Sequence, residues 1–280
     1  MLDAVVEALG ARRYRNYWMA LCPFHDDTRP SLRIDSKGYR CLSCSAHGTL
    51  RKLLDALSVG TIRARPPAPR RGKNIFPPYS ALDEVVDLLD RAQRSLAVAP
   101  SAIDYLGKRG LKDVTKRYGI GYWSGWYTIP VYSQEGDIVG AVGRSAPSMK
   151  EYTDHPYIVP DGQPNLPYVP DWTMWDRAKH LFVTFGIFDA ITLTAMGFPS
   201  LTPTLGKGSI DAAWFEAARK PISIVPDLGE EDMGRRLACK LDWRGRIIEL
   251  PYPEGCKDPN DYLQHGLSAL LEQHLFEATA

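Results

Sequence analysis

Cys22 and His25, then Cys41 and Cys44, carry the clearest chemistry in this 280-residue chain. They sit in the runs CPFHDDTRPS and YRCLSCSAHG, a Cys-x2-His pair and a Cys-x2-Cys pair with fifteen residues between them. Each pair can close one edge of a tetrahedron, and the interval is long enough for two short strands to bring the pairs together. A Cys3His set of thiolates and imidazole matches what Zn²⁺ takes in a closed, four-coordinate structural site. His47, three residues past Cys44, is the rival for the fourth position. Cys239 and Cys256 lie outside the set, and an odd count of five with metal-type spacing fits a reducing compartment rather than a disulfide framework.

A second group is acidic. Asp189 follows the apolar run LFVTFG, Asp227 follows ISIVP directly, and Glu230, Glu231 and Asp232 come close behind. Carboxylates gathered at the carboxyl ends of parallel strands bind hard cations such as Mg²⁺ or Mn²⁺. Two such ions about 4 Å apart activate an attacking oxygen and stabilise a leaving one in phosphoryl transfer. Glu230 to Asp232 also suit a helix N-terminus, where each acid contributes less than about 1 kcal/mol through the helix dipole.

Residues 1–58 read as one small module: a helix near Leu2–Leu9, strands at 17–21, 31–34 and 39–41 around a Lys37-Gly38 turn, and a helix over 49–57. So small a module cannot bury enough surface alone, and zinc would supply much of its folding energy. Tyr17, Trp18 and Tyr39 either pack its core or form a stacking face for nucleobases. Residues 59–80 (VGTIRARPPAPRRGKNIFPPYS) carry five Lys/Arg and no acid, and their prolines make a semi-rigid basic tether. The remainder divides into 81–178 and 179–280. The spacing predicts helices over 81–94 and 101–108 and a hairpin over 127–143. Beyond these, strands at 179–184, 201–205, 222–225 and 246–250 alternate with helices at 189–196, 211–219 and 232–241. A further helix is capped by Asp258 with Pro259 in its first turn. Such alternation builds a parallel, Rossmann-like sheet, so the fold class is α+β with an α/β part. The net charge of +1 conceals an asymmetry: residues 1–80 hold 14 Lys/Arg against 6 Asp/Glu, the rest 20 against 27. A basic front suits a polyanion, and an acidic back suits cations. No apolar run is long enough to span a bilayer and no leader-like start is present, so a soluble, cytoplasmic protein is expected.

In order and spacing, these segments resemble the DnaG-type DNA primases of bacteria and phages nearly end to end. CPFHDDTRPS with YRCLSCSAHG is similar to the family's CHC2-type zinc-binding, zinc-ribbon domain. YLGKRGLKDVTKRYGIGY and IPVYSQEGDIVGAVGR are similar to the first half of its RNA-polymerase core. FGIFDAITLTAMGFPSLTPTLGKG, IVPDLGEEDMGRRLA and CKDPNDYL are similar to its Toprim subdomain. The resemblance implies synthesis of short RNA primers from ribonucleoside triphosphates on single-stranded DNA, with Mg²⁺ or Mn²⁺ in the Toprim site and a structural zinc that helps select the template. It implies Asp189, Asp227 and Glu231 as catalytic acids with Glu230 nearby, and Arg109, Arg144 and Lys150 as nucleic-acid or nucleotide contacts; Lys207 is a further candidate for such a contact. A replicative helicase would be a separate partner, in a bacterium, phage or plasmid system. Gly206-Lys207-Gly208-Ser209 lacks the spacing of a Walker A loop, so no ATPase is implied.

The chain departs from the family pattern twice. Phe185 stands where the first Toprim motif has a glutamate, and Gly229 stands two residues past Asp227, where a second aspartate is usual; counting back from Gly234 puts that acid at Glu231. The first departure leaves an alternative reading, a primase-like protein that binds single-stranded DNA or an origin without polymerising. A Toprim nuclease is the third.

Overall fold

In the computed structural model, which describes residues 2–14, 16–24, 27, 30–44, 46–58, 74–149, 156–216 and 218–279, alternation of apolar and charged side chains turns the first sixty residues into a five-stranded sheet. The described residues fall into two units, one within 1–72 and the other within 73–150 and 155–280.

In the first unit, α1 (Leu2–Ala8) precedes β1 (Arg12–Tyr14), β2 (Tyr17–Ala20), β3 (Leu32–Asp35), β4 (Gly38–Cys41) and β5 (His47–Gly48), and α2 (Leu50–Ser58) closes it. The strands pair in sequence order, all antiparallel. Side chains opposite one another share a face. Trp18, Ile34 and Tyr39 line up across β2–β4, as do Ala20, Leu32 and Cys41, and together with Val5, Leu9, Leu50 and Leu53 they form the core. The register puts Arg12, Met19, Arg33, Arg40 and His47 in one row across the opposite face of all five strands. Gly38 is required at the β3–β4 turn, because a Cβ there would strike the Gly48 carbonyl.

The second unit starts earlier than composition suggests. Residues 59–73 of the expected tether lie outside the described residues, but 74–80 pack on the core. Asn74 Nδ2 donates to the Val159 carbonyl (2.9 Å), the Tyr79 N–H donates to the Asp161 carbonyl (2.9 Å), and Phe76 is buried with Val85, Leu88 and Ala141. Pro77 and Pro78 exclude regular structure without excluding burial of the aromatic ring beside them. Then come α3 (Leu82–Leu96) and α4 (Pro100–Lys108), followed by an antiparallel sheet of β6 (Gly121–Trp123), β7 (Trp126–Tyr132), β8 (Ile138–Ser145) and β9 (Tyr157–Ile158). The predicted hairpin is β7–β8, turning at residues 133–137.

The second sheet comprises β10 (Pro167–Tyr168), β11 (Leu181–Thr184), β12 (Ser200–Pro203), β13 (Ile222–Val225) and β14 (Gly245–Ile247). Its spatial order is β10-β12-β11-β13-β14, with β10 antiparallel and the other four parallel. Because β10 belongs to this sheet, its first strand precedes residue 179. The connecting helices are α5 (Trp172–Arg177), α6 (Ile187–Ala195) and α7 (Glu231–Lys240), and α8 (Pro259–Gln264) and α9 (Ser268–Thr279) close the unit. Every residue of α6 from Ile187 to Thr194 is buried. This helix packs through Ile187, Phe188 and Ile191 on the antiparallel sheet and through Leu193 on Phe182, Tyr262 and Leu271. A helix apolar on all sides requires such two-sided cover.

The helix predicted over 211–219 does not form. Among the described residues only a 3-10 turn, Ala212–Phe215, is present, and Arg244 Nη1 donates to the Phe215 and Ala218 carbonyls that follow it, at 2.7 and 3.0 Å.

At the amino-terminal edge of the parallel strands, His180 Nε2 lies 2.8 Å from Ser223 Oγ, which also accepts from Arg246 Nε. Burial and the Arg246 charge push the His180 pKa down to about 4 from 6.5. The unfolded chain therefore takes up this proton first, and stability is lost as pH falls from 6.5 towards 4. His180→Gln, which keeps a partner for Ser223, is expected to flatten that part of the melting-temperature profile between pH 7.5 and 5.

Candidate metal centre and acidic cleft

β4 ends on Cys41, and β2 runs out through Leu21 to Cys22, so the antiparallel register itself brings Cys22 to Cys41. Ligand atoms of Cys22, Cys41 and Cys44 lie within 4.8 Å of one another, the one such cluster among the described residues, and His47 is not part of it. The Cys22 and Cys44 sulfurs are 3.8 Å apart, the edge of a tetrahedron with Zn–S of about 2.3 Å. The surroundings favour thiolate at Cys41. Burial raises its pKa, but Ser31 Oγ at 3.2 Å and the N–H groups of Ser43 and Cys44 at 3.3 and 3.2 Å outweigh it, and the value falls to about 6. Cys22, more buried and facing the other two sulfurs, is pushed up to about 12. Such a trio favours a cation that deprotonates and neutralises it. Asp27 Oδ2 fixes the frame by accepting from the Cys22 N–H (2.7 Å) and Ser31 Oγ (2.6 Å). His25 lies outside the described residues.

The acids of the second unit assemble where the parallel strands end. Asp189 sits in the first turn of α6, 5% exposed, with Oδ1 accepting from the Asn260 N–H at 2.9 Å. Gly186, one residue before α6, has no Cβ because one would strike Asp189 Oδ2. Asp227 follows β13, its loop held by a Tyr252 hydroxyl donating to the Pro226 carbonyl and by the Leu228 N–H donating to the Lys257 carbonyl, both 2.7 Å. Asp258 caps α8 by accepting from the Asp261 N–H at 2.9 Å. Burial and then the Asp258 charge raise both other acids, Asp189 well above the carboxylate range and Asp227 to about 6. Burial and Asp261 raise Asp258 in turn. Three mutually repelling, half-dehydrated carboxyls want a cation. Asp227 Oδ1 and Glu230 Oε2 are buried with no hydrogen-bond partner, which leaves hard oxygen donors open to one.

The other sequence candidates separate. Glu230 pairs with Lys207. Glu231 instead spends Oε1 on the Gly229 N–H (2.9 Å), and the charges that act on Asp227 are Asp258, Lys207, Lys257 and Asp261. Phe185 is 8% exposed in an apolar cluster with Val183, Leu201 and Phe215, because it continues the inward alternation of Leu181 and Val183. Arg144 and Arg109 meet at one phenol: Arg144 Nη1 and Arg109 Nε both donate to Tyr105 Oη, at 2.7 and 3.0 Å. Arg144 also bonds Tyr157, and its guanidinium lies 4.5 Å over the Phe188 ring. Burial would lower the Arg144 pKa, but the two tyrosines hold it above its ordinary value. Arg109 Nη1 donates to Asn260 Oδ1 (2.8 Å), so the basic network reaches the residue that holds Asp189. Lys150 lies outside the described residues. Asp258 and Asn260 were visible in sequence only as a capped Asp-Pro turn; their approach to Asp189 spans about seventy residues.

The fold and the two sites define a class of protein: a zinc ribbon with an α/β core whose acids cluster at the strand ends. Residues 2–59 match the CHC2 zinc finger family of DnaG zinc ribbons. The chain is 22% identical to the DNA primase of Thermotoga maritima over 94% of its own length and 57% of that protein. It is 25% identical to a DNA primase of Neisseria meningitidis over 90% of its length and 52% of that protein. It thus spans about half the length of the curated relatives it matches. The zinc-binding and RNA polymerase domains of the Aquifex aeolicus primase superpose with a TM-score of 0.56 at 16% identity, covering 99% of this chain and 82% of that one. A DnaG primase catalytic domain bound to single-stranded DNA gives 0.54 at 20% identity, covering 71% and 78%. Residues 2–59 thus belong to a CHC2 zinc finger with three clustered cysteines suited to a structural zinc, and the second unit has the fold of a DnaG primase catalytic domain.

Proposed function

We propose that this protein is a DNA primase that joins ribonucleoside triphosphates into short RNA primers on single-stranded DNA. The observation that carries the reading is the convergence of Asp189, Asp227 and Asp258, from three separate segments, beside buried carboxylate oxygens with no hydrogen-bond partner. These acids, with Glu230, are the residues that would hold Mg²⁺ or Mn²⁺. Such ions supply charge stabilisation and nucleophile activation in nucleotidyl transfer. In this reading Arg144, whose buried Nε has no partner, and Arg109 would grip phosphate. The relatives named DNA primase support the same reading.

His25 completes the zinc set in this proposal, and the outer row of the ribbon sheet meets the template. Arg12, Arg33 and Arg40 are exposed along that row, with the Arg33 guanidinium 4.4 Å over the Tyr17 ring and Tyr14 beside it at 5.5 Å. Cations interleaved with aromatic faces bind single strands by phosphate contact and base stacking. Trp18 and Tyr39 pack inward instead. A separate replicative helicase and a cytoplasmic setting in a bacterial or phage-infected cell belong to the same proposal.

The test is primer synthesis on single-stranded DNA with labelled nucleotides and Mg²⁺ or Mn²⁺. Asp227→Asn is the control rather than a glutamate at 185, since a carboxylate among Val183, Leu201 and Phe215 would cost several kcal/mol, roughly, in desolvation alone. Template-dependent oligomers from the unaltered chain are expected; DNA bound but no product, under either ion, would refute the primase reading.

A further inference from the structure

Lys207 meets an acid of the cleft through a contact that sequence spacing does not announce. Its ammonium pairs with one oxygen of Glu230, while the other oxygen is buried without a partner, as is Asp227 Oδ1. Its charge acts on Asp227 as well, opposing the upward push of burial on that carboxyl. One monovalent cation therefore serves two carboxylates with unused oxygens. Among the described residues, no other basic side chain forms an ion pair with an acid of this cleft.

The lysine is also delivered by a fastened turn. Gly206 takes φ +99°, which favours glycine, and opens a 3-10 turn over Lys207–Ser209. Ser209 Oγ sits 2.7 Å from the Gly206 carbonyl and 3.1 Å from Asn165 Oδ1, and Asn165 Nδ2 donates to the Ser209 carbonyl. Asn165 lies just before β10, so the turn is clipped to the edge of the parallel sheet. The Lys207 backbone is held, and its side chain is 41% exposed.

We propose that Lys207 is a built-in counter-cation that competes with a divalent ion for Glu230 and Asp227, and that metal loading displaces its ammonium towards the phosphates of an incoming nucleotide. The proposal rests on the reading of this cleft as a divalent-metal site. A divalent ion brings twice the charge and takes several oxygen ligands at once, whereas an ammonium donates to them one by one. Exchange therefore favours the metal, at the cost of breaking the Lys207–Glu230 pair. Once displaced, the lysine stays within reach of the cleft because its turn cannot retreat. The residue thereby couples metal occupancy to anion binding.

The test is titration of the zinc-loaded full chain with Mn²⁺, followed by calorimetry and by the loss of the free-ion paramagnetic resonance signal. Wild type, Lys207→Met and Lys207→Gln are compared, with Asp227→Asn identifying the site. Removing the competitor is expected to tighten Mn²⁺ binding about five- to tenfold in both Lys207 variants. The same variants should weaken nucleotide binding in saturating Mn²⁺ by at least about threefold, since a charge on phosphate is lost. A lysine that merely braces the loop would weaken both ligands. Unchanged or weaker Mn²⁺ affinity in both variants, against clear binding to wild type, overturns the competition and leaves the metal site standing. Absence of Asp227-dependent Mn²⁺ binding in every form overturns the metal reading of the cleft and this inference with it.

Discussion

Replacing Cys41 with serine is expected to release the zinc and unfold the ribbon while the second unit keeps its cooperative transition. Cys41 is the hub of its cluster: its sulfur accepts from two backbone N–H groups and meets Ser31, and its strand pairs with both neighbours. A serine oxygen preserves the shape but binds zinc far more weakly than a thiolate. The core it leaves behind is a single cluster beneath one small sheet. Structural zinc contributes about 10–16 kcal/mol in metal-dependent modules of this size. Whole domains are stable by only about 5–15 kcal/mol. Zinc content per chain and amide exchange over residues 1–58 read the outcome. A variant that retained one zinc per chain and full protection there would remove Cys41 from the ligand set.

Asp227→Asn is expected to abolish primer synthesis and, at the same time, to stabilise the second unit. Loss of a ligand to the divalent ion forfeits several kcal/mol of transition-state charge stabilisation, or about 10²–10⁴ in rate. The stability effect has the opposite sign. In the folded protein this carboxyl titrates near 6 rather than 3.8, chiefly through burial and then through Asp258. Ionising it therefore costs more in the native state than in the unfolded chain, so the penalty is fully present above pH 6 and absent below 3.8. Without added divalent ion, the amide should raise the melting temperature by roughly a few degrees at pH 7.5. At pH 4 the gain should vanish. Loss of both activity and stability would mean that Asp227 holds the loop rather than the metal.

The sites were legible in sequence wherever their parts are local. Cys41 and Cys44 of the cluster lie three residues apart, so spacing alone announces that half, and Asp189 and Asp227 follow apolar runs that are visibly strands. Local signals failed where two readings share one pattern. Glu230 and Glu231 are adjacent, and only the path of the loop decides that the first meets Lys207 while the second caps Gly229. Tyr17 and Trp18 are likewise adjacent and equally aromatic, yet strand alternation sends them to opposite faces, with Trp18 over the core opposite Ile34 and Tyr17 beneath Arg33. Where a helix is predicted over 211–219, the described residues form a 3-10 turn whose Phe215 carbonyl, with that of Ala218, accepts from Arg244 of a later segment, a contact no local pattern announces.

What the sequence determined by itself is therefore the metal chemistry of the ribbon, the alternation that makes a parallel sheet, and the positions of two acids at its strand ends. Tertiary structure alone decided the rest. It brought Asp258 and Asn260 to Asp189, linked Arg109 to Asn260 across 151 residues, and set Lys207 against Glu230. The physical reason is one of range. Ligand pairs and strand periods are set by covalent geometry over a few residues, whereas the field on a buried carboxyl is set by whatever the folded chain places around it.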